Sequence, residues 1–352
     1  MVFNQQQFEV ALSEVGKHLS RQGMEIRDWG LGIEDWGLDT MSCRSQQRSE
    51  NSSPPASPTP PATFKLGIGD WENRSKDLKP GYLLKKNASQ PPVPSPQSPV
   101  PNPLHLFDTL PSTNQTLWEL LNQGATAGTI VIAAQQTAGR GQWGRQWQSN
   151  VGGLYLSLAL ATNLPASNSA QLTLSSAWGI ATALRQYGVP VFLKWPNDLL
   201  LKGRKLGGIL TETRVRQGWI TQAVVGVGIN WSNCVPESGI NLQAFCEEEL
   251  NLGVTSLELL AAIVIQGLNF GYQSLSEQSM ENLLPSYLEL LDSQGRQITV
   301  DGNLGTIVGV TPTGDLRVSL NSTEAAVGEV PTSTSLTEIC LKPGTISLGY
   351  CQ

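Results

Sequence analysis

Histidine is nearly absent from the 352-residue chain, which has only His18 and His105, and its five cysteines (Cys43, Cys234, Cys246, Cys340 and Cys351) are scattered without a C-x-x-C pair. That scarcity argues against a disulfide framework and against a zinc cluster, and it makes a reducing cytoplasm the expected setting. No apolar run approaches the roughly 20 residues that a membrane-spanning helix needs, and the first thirty residues lack a signal-peptide pattern. A soluble protein with no membrane partner is expected. An excess of positive charge is also missing, since 23 Lys and Arg face 29 Asp and Glu for a formal charge of −6. An extended nucleic-acid surface is therefore a poor expectation.

The charge that is present is unevenly placed. Residues 1–103 hold eleven bases and eleven acids, whereas 140–216 hold nine bases against two acids, Asp198 and Glu212, and from 217 onward three bases face fourteen acids. A small anion bound at one focused site suits this distribution, although bases and acids on separate solvated faces would give the same counts.

Thirteen of the 22 prolines fall between Pro54 and Pro103, in runs such as "NSSPPASPTPPA" that favour extended backbone and cannot bury a core. Residues 1–103 are expected to form a disordered Pro/Ser-rich extension in which "FEVALSEVGKHLS" makes at most one short helix. "LGIEDWG" at 31–37 is echoed by "LGIGDWE" at 66–72, which reads as a partner-binding motif with tryptophan anchors or as a degenerate duplication.

After Pro103 the pattern becomes globular. Ser112 to Gln115 fits an S-x-x-Q capping box before the apolar helix "TLWELLNQG". "TIVIAAQ", "GGLYLSLAL", "VFLKW", "RKLGGILTETR" and "WITQAVVGVGINW" read as strands. "SAQLTLSSAWGIATALRQYG", "SLELLAAIVIQGLNFGYQSL" and "SMENLLPSYLELL" read as helices, the last bent at Pro285. Strands and helices without regular βαβ alternation predict an α+β fold, a mixed sheet with helices on one face, over residues 104–290. From about 291 to 345, β-branched segments separated by Asp-Gly, Gly-Asn and Gly-Asp turns predict a small β-barrel.

"TAGRGQWGRQW" at 137–147 contains the G-x-G-x-x-G spacing of a dinucleotide site, but that reading also needs a helix opening at the glycines and an acid about 20 residues later. A loop and a strand follow instead, and no acid occurs between Arg145 and Asn197. What remains is a glycine-rich loop with Arg140 and Arg145, a combination suited to phosphate or carboxylate oxygens. "KWPNDLLL" adds Lys194 at a strand end and Asn197 and Asp198 in a turn. "GRKLGGIL" adds Lys205, and "VVGVGINW" adds Asn230, whose amide both donates and accepts.

Taken together, "STNQ" (112–115), "QQTAGRGQWGRQW" (135–147), "KWPND" (194–198), "KLGGIL" (205–210) and "GVGIN" (226–230) resemble the biotin protein ligases over roughly residues 104–343. The resemblance implies a catalytic domain like that of class II aminoacyl-tRNA synthetases and a terminal Src-homology-3-like barrel. It implies ATP and biotin as substrates with Mg²⁺, biotinyl-AMP as intermediate, and a lysine of a biotin carboxyl carrier protein or domain as acceptor. Carried over by position, Ser112, Thr113, Asn114 and Gln136, with the loop residues Gly139, Gly141 and Gln142, would surround biotin. Arg140 and Lys194 would meet its carboxylate and the nascent acyl phosphate. Arg140, Arg145, Lys194 and Lys205 would meet ATP, with Asn230 at adenine, and Asp198 would lie near the incoming lysine or the metal. Arg140, Lys194, Lys205 and Asp198 form the expected catalytic set.

Two departures from the family pattern carry expectations of their own. Residues 1–103 show neither paired amphipathic helices nor basic excess, so no DNA binding is expected. Gln142 and Trp143 stand where many bacterial relatives have arginines, so the loop is expected to retain its intermediate less firmly. Three other readings stay open: a lipoate ligase or octanoyltransferase, which the polar "STNQ" suits less well; a biotin-sensing repressor; and a scaffold acting through its tryptophan-bearing tail. The sequence is compatible with a homodimer.

Overall fold

The computed structural model describes residues 3–24, 104–249, 253–321, 336–346 and 348–349. The chain divides into two units, Met1–Gly37 with Pro99–Gln352 and Leu38–Ser98, and every described residue belongs to the first. The echoed tryptophan motifs and the Pro/Ser runs lie outside the described residues.

A seven-stranded mixed sheet is the frame of this unit. In chain order its strands are β1 (Leu104–Leu110), β2 (Ile130–Gln136), β3 (Leu154–Pro165), β4 (Phe192–Lys194), β5 (Asp198–Leu201), β6 (Arg204–Arg216) and β7 (Trp219–Ile229), and in space they run β1-β2-β3-β7-β6-β5-β4. β1 and β2 are parallel, and the other neighbours are antiparallel. "DLLL" is too short to register as a strand by periodicity. It forms β5 because the turn after Lys194 folds it back beside β4 and against β6.

Successive side chains of a strand point to opposite faces, and both faces of this sheet are covered. Ile130 and Ile132 of β2 join the core made with α3 (Ser169–Gln186) and α5 (Leu257–Glu289), while Val131 and Ala133 pack with Leu117 and Leu121 of α2 (Thr113–Asn122). Helices on a single face were expected; α2 occupies the other one. The two predicted C-terminal helices are joined within α5, whose backbone breaks at Ser279 (φ 66°) rather than at Pro285. A short α4 (Leu242–Glu248) lies between β7 and α5.

Residues 3–24 differ from the expected disordered extension. Helix α1 (Gln5–Arg21) begins at Asn4, whose side chain accepts the Gln7 N–H (3.0 Å), and buries Phe8, Leu12, Val15 and Leu19. Its partner is α5, at whose first turn Glu258 accepts the Asn4 N–H (2.9 Å). α5 is apolar around most of its circumference, so α3 covers one side and α1 another. Fully burying each such side chain contributes about 1.5 to 3 kcal/mol, which ties the helix into the core.

The second sheet is small and antiparallel: β8 (Gln297–Val300), β9 (Asn303–Val310), β10 (Leu316–Asn321) and β11 (Leu336–Leu341), in the order β11-β10-β9-β8. Asp301 and Gly302, both at positive φ (49° and 82°), make the two-residue turn between β8 and β9. Trp195 Nε1 donates to the Gly314 carbonyl (2.9 Å) and Gln171 Nε2 to that of Pro312 (3.0 Å), which pins this sheet beside the strand that carries Lys194. Among the described residues no helix is long and apolar enough to cross a membrane.

Candidate functional site

A cleft opens where α2, β6 and β7 meet the segment between β2 and β3. Its lid is the glycine-rich loop, which is a hairpin: Gly141 N–H donates to the Arg145 carbonyl (2.7 Å) and Trp147 N–H to that of Gly139 (2.9 Å). Trp143 and Gly144 at the tip have positive φ, and the Trp143 indole rests against Gly344. Only a three-residue 3-10 turn, Gln142–Gly144, and no α-helix opens at the glycines, so the dinucleotide reading fails here as it does in the sequence.

One end of the cleft is neutral and closely hydrogen-bonded. The predicted capping box does not form: Ser112 makes no side-chain cap, and Gln115 reaches Glu119 (3.1 Å) instead. The start of α2 is held by Gln136 of β2, whose Oε1 accepts the Thr113 N–H (2.8 Å) while its Nε2 donates to Ser149 Oγ (2.8 Å). Ser157, fully buried on β3, donates to Asn114 Oδ1 (2.6 Å) and lies 2.8 Å from Thr113 Oγ1. Asn114 Nδ2 donates to the Leu210 carbonyl (3.2 Å) and to Glu212 (3.0 Å). These groups can approach β7 so closely because of its glycines: a Cβ at Gly226 would overlap the Asn114 amide, and one at Gly228 the Trp147 indole.

The other end is ionic. Lys205 Nζ pairs with Asp198 Oδ1 (2.7 Å) and lies 5.3 Å from the centroid of the Trp147 ring. Lys194 Nζ is 3.8 Å from Asp198 Oδ2. Burial holds the Lys194 pKa down, to about 8; Asp198 opposes the shift, while Lys205, Arg145 and Arg296 add to it. An ammonium in such a place gains from an arriving anion, because the anion replaces lost hydration and offsets neighbouring positive charge.

Ten of the predicted site residues line this cleft: Ser112, Thr113, Asn114, Gln136, Arg140, Gly141, Gln142, Arg145, Asp198 and Lys205. Three others, Gly139, Lys194 and Asn230, are packed next to lining residues. Gly139 is packed against Ser149 and the Trp147 backbone. Lys194 is buried beneath Asp198. Asn230 is also buried, donating to the Lys205 carbonyl (3.3 Å) and accepting from Asn233 (3.0 Å), so its amide steadies the backbone of Lys205. Ser157, Trp147 and Glu212 also belong to the site and are not among the residues expected from the sequence. Glu212 had a visible signal, as one of only two acids in the basic stretch 140–216. Ser157 had none, being one more small residue in an apolar strand.

Asp198 does not fit as a metal ligand, since two ammonium groups already flank its carboxylate. Among the described residues no three His, Cys, Asp or Glu side chains converge on a point. A divalent ion in this cleft would depend on oxygens of the bound substrates.

Fold and cleft together define an α+β domain for a small ligand with a neutral polar end and an anionic end. Residues 106–230 match the family model described as "Biotin/lipoate A/B protein ligase family". The Bacillus subtilis protein named "Bifunctional ligase/repressor BirA" is 41% identical over 125 residues, which are 35% of this chain and 38% of that protein. The Mycobacterium tuberculosis "Biotin--[acetyl-CoA-carboxylase] ligase" is 30% identical over 193 residues, 50% of this chain and 71% of that protein. The solved Aquifex aeolicus biotin protein ligase in complex with biotin and ATP is 25% identical with a TM-score of 0.52, covering 67% of this chain and 94% of that one. The chain belongs to the biotin/lipoate A/B protein ligase family. It spans 38% of the length of its Bacillus subtilis relative.

Proposed function

We propose that this chain is a biotin protein ligase. The observation that carries the reading is the pairing of a neutral, hydrogen-bonded floor with a Lys205–Asp198–Lys194 cluster in one cleft beneath a glycine-rich lid. The biotin ring system would lie on Thr113, Asn114 and Gln136, and its carboxylate would point toward the lysines.

A carboxylate is a poor electrophile and must first be activated. Its oxygen attacks the α-phosphorus of ATP, and pyrophosphate leaves with the electrons of the broken P–O bond. Lys205, Arg145 and the buried charge of Lys194 reduce the repulsion between the two anions and stabilise the charge that spreads over the phosphoryl oxygens. A lysine amine of the carrier then attacks the acyl carbon of biotinyl-AMP, AMP departs, and the amine loses a proton. Asp198 faces the cleft between two cations, placed to orient that amine. Water would hydrolyse the adenylate, which gives the hairpin lid its purpose. Mg²⁺ would accompany the ATP phosphates and supply charge neutralisation there.

The finer architectural reading, a class II synthetase-like core with a Src-homology-3-like barrel, belongs to the same proposal. So do a cytoplasmic location and a carboxyl carrier domain as partner. A chain without DNA binding is part of the same proposal; among the described residues of 1–103, helix α1 turns its apolar face into α5. The full chain, given ATP, biotin and a carrier domain, should add one biotin to one carrier lysine, as measured by intact mass. Addition of lipoate or octanoate in place of biotin would make it the other kind of ligase in this family. A shifted promoter fragment in a gel assay would restore the repressor reading.

A further inference from the structure

Glu212 gathers donors from two separate elements. Asn114 Nδ2 (3.0 Å) and Trp118 Nε1 (3.2 Å) reach it from α2, and Arg140 reaches it from the lid through Nη2 to Oε2 (3.1 Å) and Nη1 to Oε1 (3.0 Å). Two parallel contacts between a guanidinium and a carboxylate form the most directional ion pair available to side chains. Arg140 stands on one arm of the lid hairpin and Glu212 on β6. The pair therefore ties a loop to the sheet across the top of the cleft.

We propose that Glu212 is the latch of the glycine-rich lid, and that Arg140 serves closure rather than gripping the substrate carboxylate. The two Nη groups that would grip a carboxylate are the ones Glu212 occupies. At the ionic end of the cleft Lys194 and Lys205 both pair with Asp198, whereas the ion pair of Arg140 is with Glu212. Glu212 also fixes Asn114, whose other amide atom meets Ser157. Closing the lid and setting the neutral floor are thus one event, and a ligand that orders Asn114 strengthens the latch from below. Glu212 is a positioning residue in this scheme, which rests on the ligase reading above for the identity of the retained intermediate.

The test uses the full chain with Glu212→Gln, Arg140→Gln and the double variant. Glutamine at 212 keeps an acceptor for Asn114 and Trp118 while removing the charge, and Arg140 is exposed enough to be changed without loss of folding. Two readouts are taken: amide hydrogen exchange of residues 139–147 without substrates, and escape of biotinyl-AMP in the absence of carrier. Because both partners are partly solvated, each single variant should speed both by about three- to fivefold, and the double variant should go no further than the larger single one. Multiplying effects in the double variant would overturn the latch. So would wild-type lid exchange in Glu212→Gln, or faster exchange confined to α2, which marks a role in the floor alone. If the wild-type protein makes no biotinyl-AMP, the ligase reading fails, yet lid exchange still decides the latch.

Discussion

The two ends of the cleft handle polarity in opposite ways. At the neutral end the polar groups fix one another: Gln136 holds Thr113, Ser157 holds Asn114, and Gly226 leaves the space in which Asn114 sits. Such a network rigidly selects a shape, because a buried donor or acceptor left unpaired costs about 1 to 3 kcal/mol. At the ionic end one carboxylate is shared by two lysines, with arginines nearby, so positive charge is in excess and incompletely compensated. That end selects charge, and it improves when anions arrive. One sheet supports both because β6 contributes Lys205 at its start and Glu212 eight positions from its first residue, with glycines between them that let the strands pack closely.

This contrast predicts where mutations act. The largest effect should come from Lys205→Ala, which removes the ammonium that both lines the cleft and holds Asp198. Losing a preorganised charge at a phosphoryl centre costs about 3 to 4 kcal/mol, so adenylate formation should slow by roughly 10² to 10³ with biotin affinity nearly kept. Single-turnover formation of biotinyl-AMP and equilibrium biotin binding separate the two. Gly226→Ala should invert the pattern: its methyl displaces Asn114, and about 2 kcal/mol of lost pairing raises the biotin Kd roughly thirtyfold while the rate at saturation changes little.

The third effect is one of pH. With its pKa near 8, Lys194 loses its charge as pH rises from 7 to 9, and kcat/KM for ATP should fall by up to about tenfold across that range. Lys194→Arg should flatten the fall. Unfolding is not the cause, because between pH 8 and roughly 10 the unfolded chain keeps the proton on this lysine that the folded chain has released, so for this group stability rises with pH. A melting temperature that drops in step with activity would contradict this. The smallest effect belongs to Gln142, which lines the cleft with its amide oxygen unpartnered. Gln142→Arg should slow adenylate escape by about threefold, since arginine adds charge-assisted contacts that an amide lacks. If Trp143→Ala speeds escape while Gln142→Arg changes nothing, the tryptophan resting on Gly344 provides the closure instead.

Much of this site was legible in the sequence, for a physical reason. Glycines beside bases are needed wherever backbone and cations approach one ligand, and they left a readable pattern at 139–145, 205–208 and 226–228. Residues that act through other residues were harder to place. Asn230 was recognisable as a motif residue, yet its amide is turned to Asn233 and the Lys205 backbone. Lys194 was visible at a strand end, but only the fold shows that it is buried beside Asp198. Helix α1 looked like a minor segment of an unstructured tail because its length and polarity are ordinary. The clue lay elsewhere, in α5, whose nearly all-round apolar surface requires a further covering element. The placement of α2 on the opposite face followed from alternation along "IVIAA", where every residue is apolar and the sequence assigns no sides.

The measurement that bears most directly on the proposed activity is exchange of labelled pyrophosphate into ATP by the full chain, with biotin, lipoate, octanoate or no acid present. Exchange with biotin alone is the result the proposed function predicts, with the ring system on the neutral floor and the carboxylate toward the lysines. Exchange with lipoate or octanoate and none with biotin, or no exchange with any of them, would contradict it.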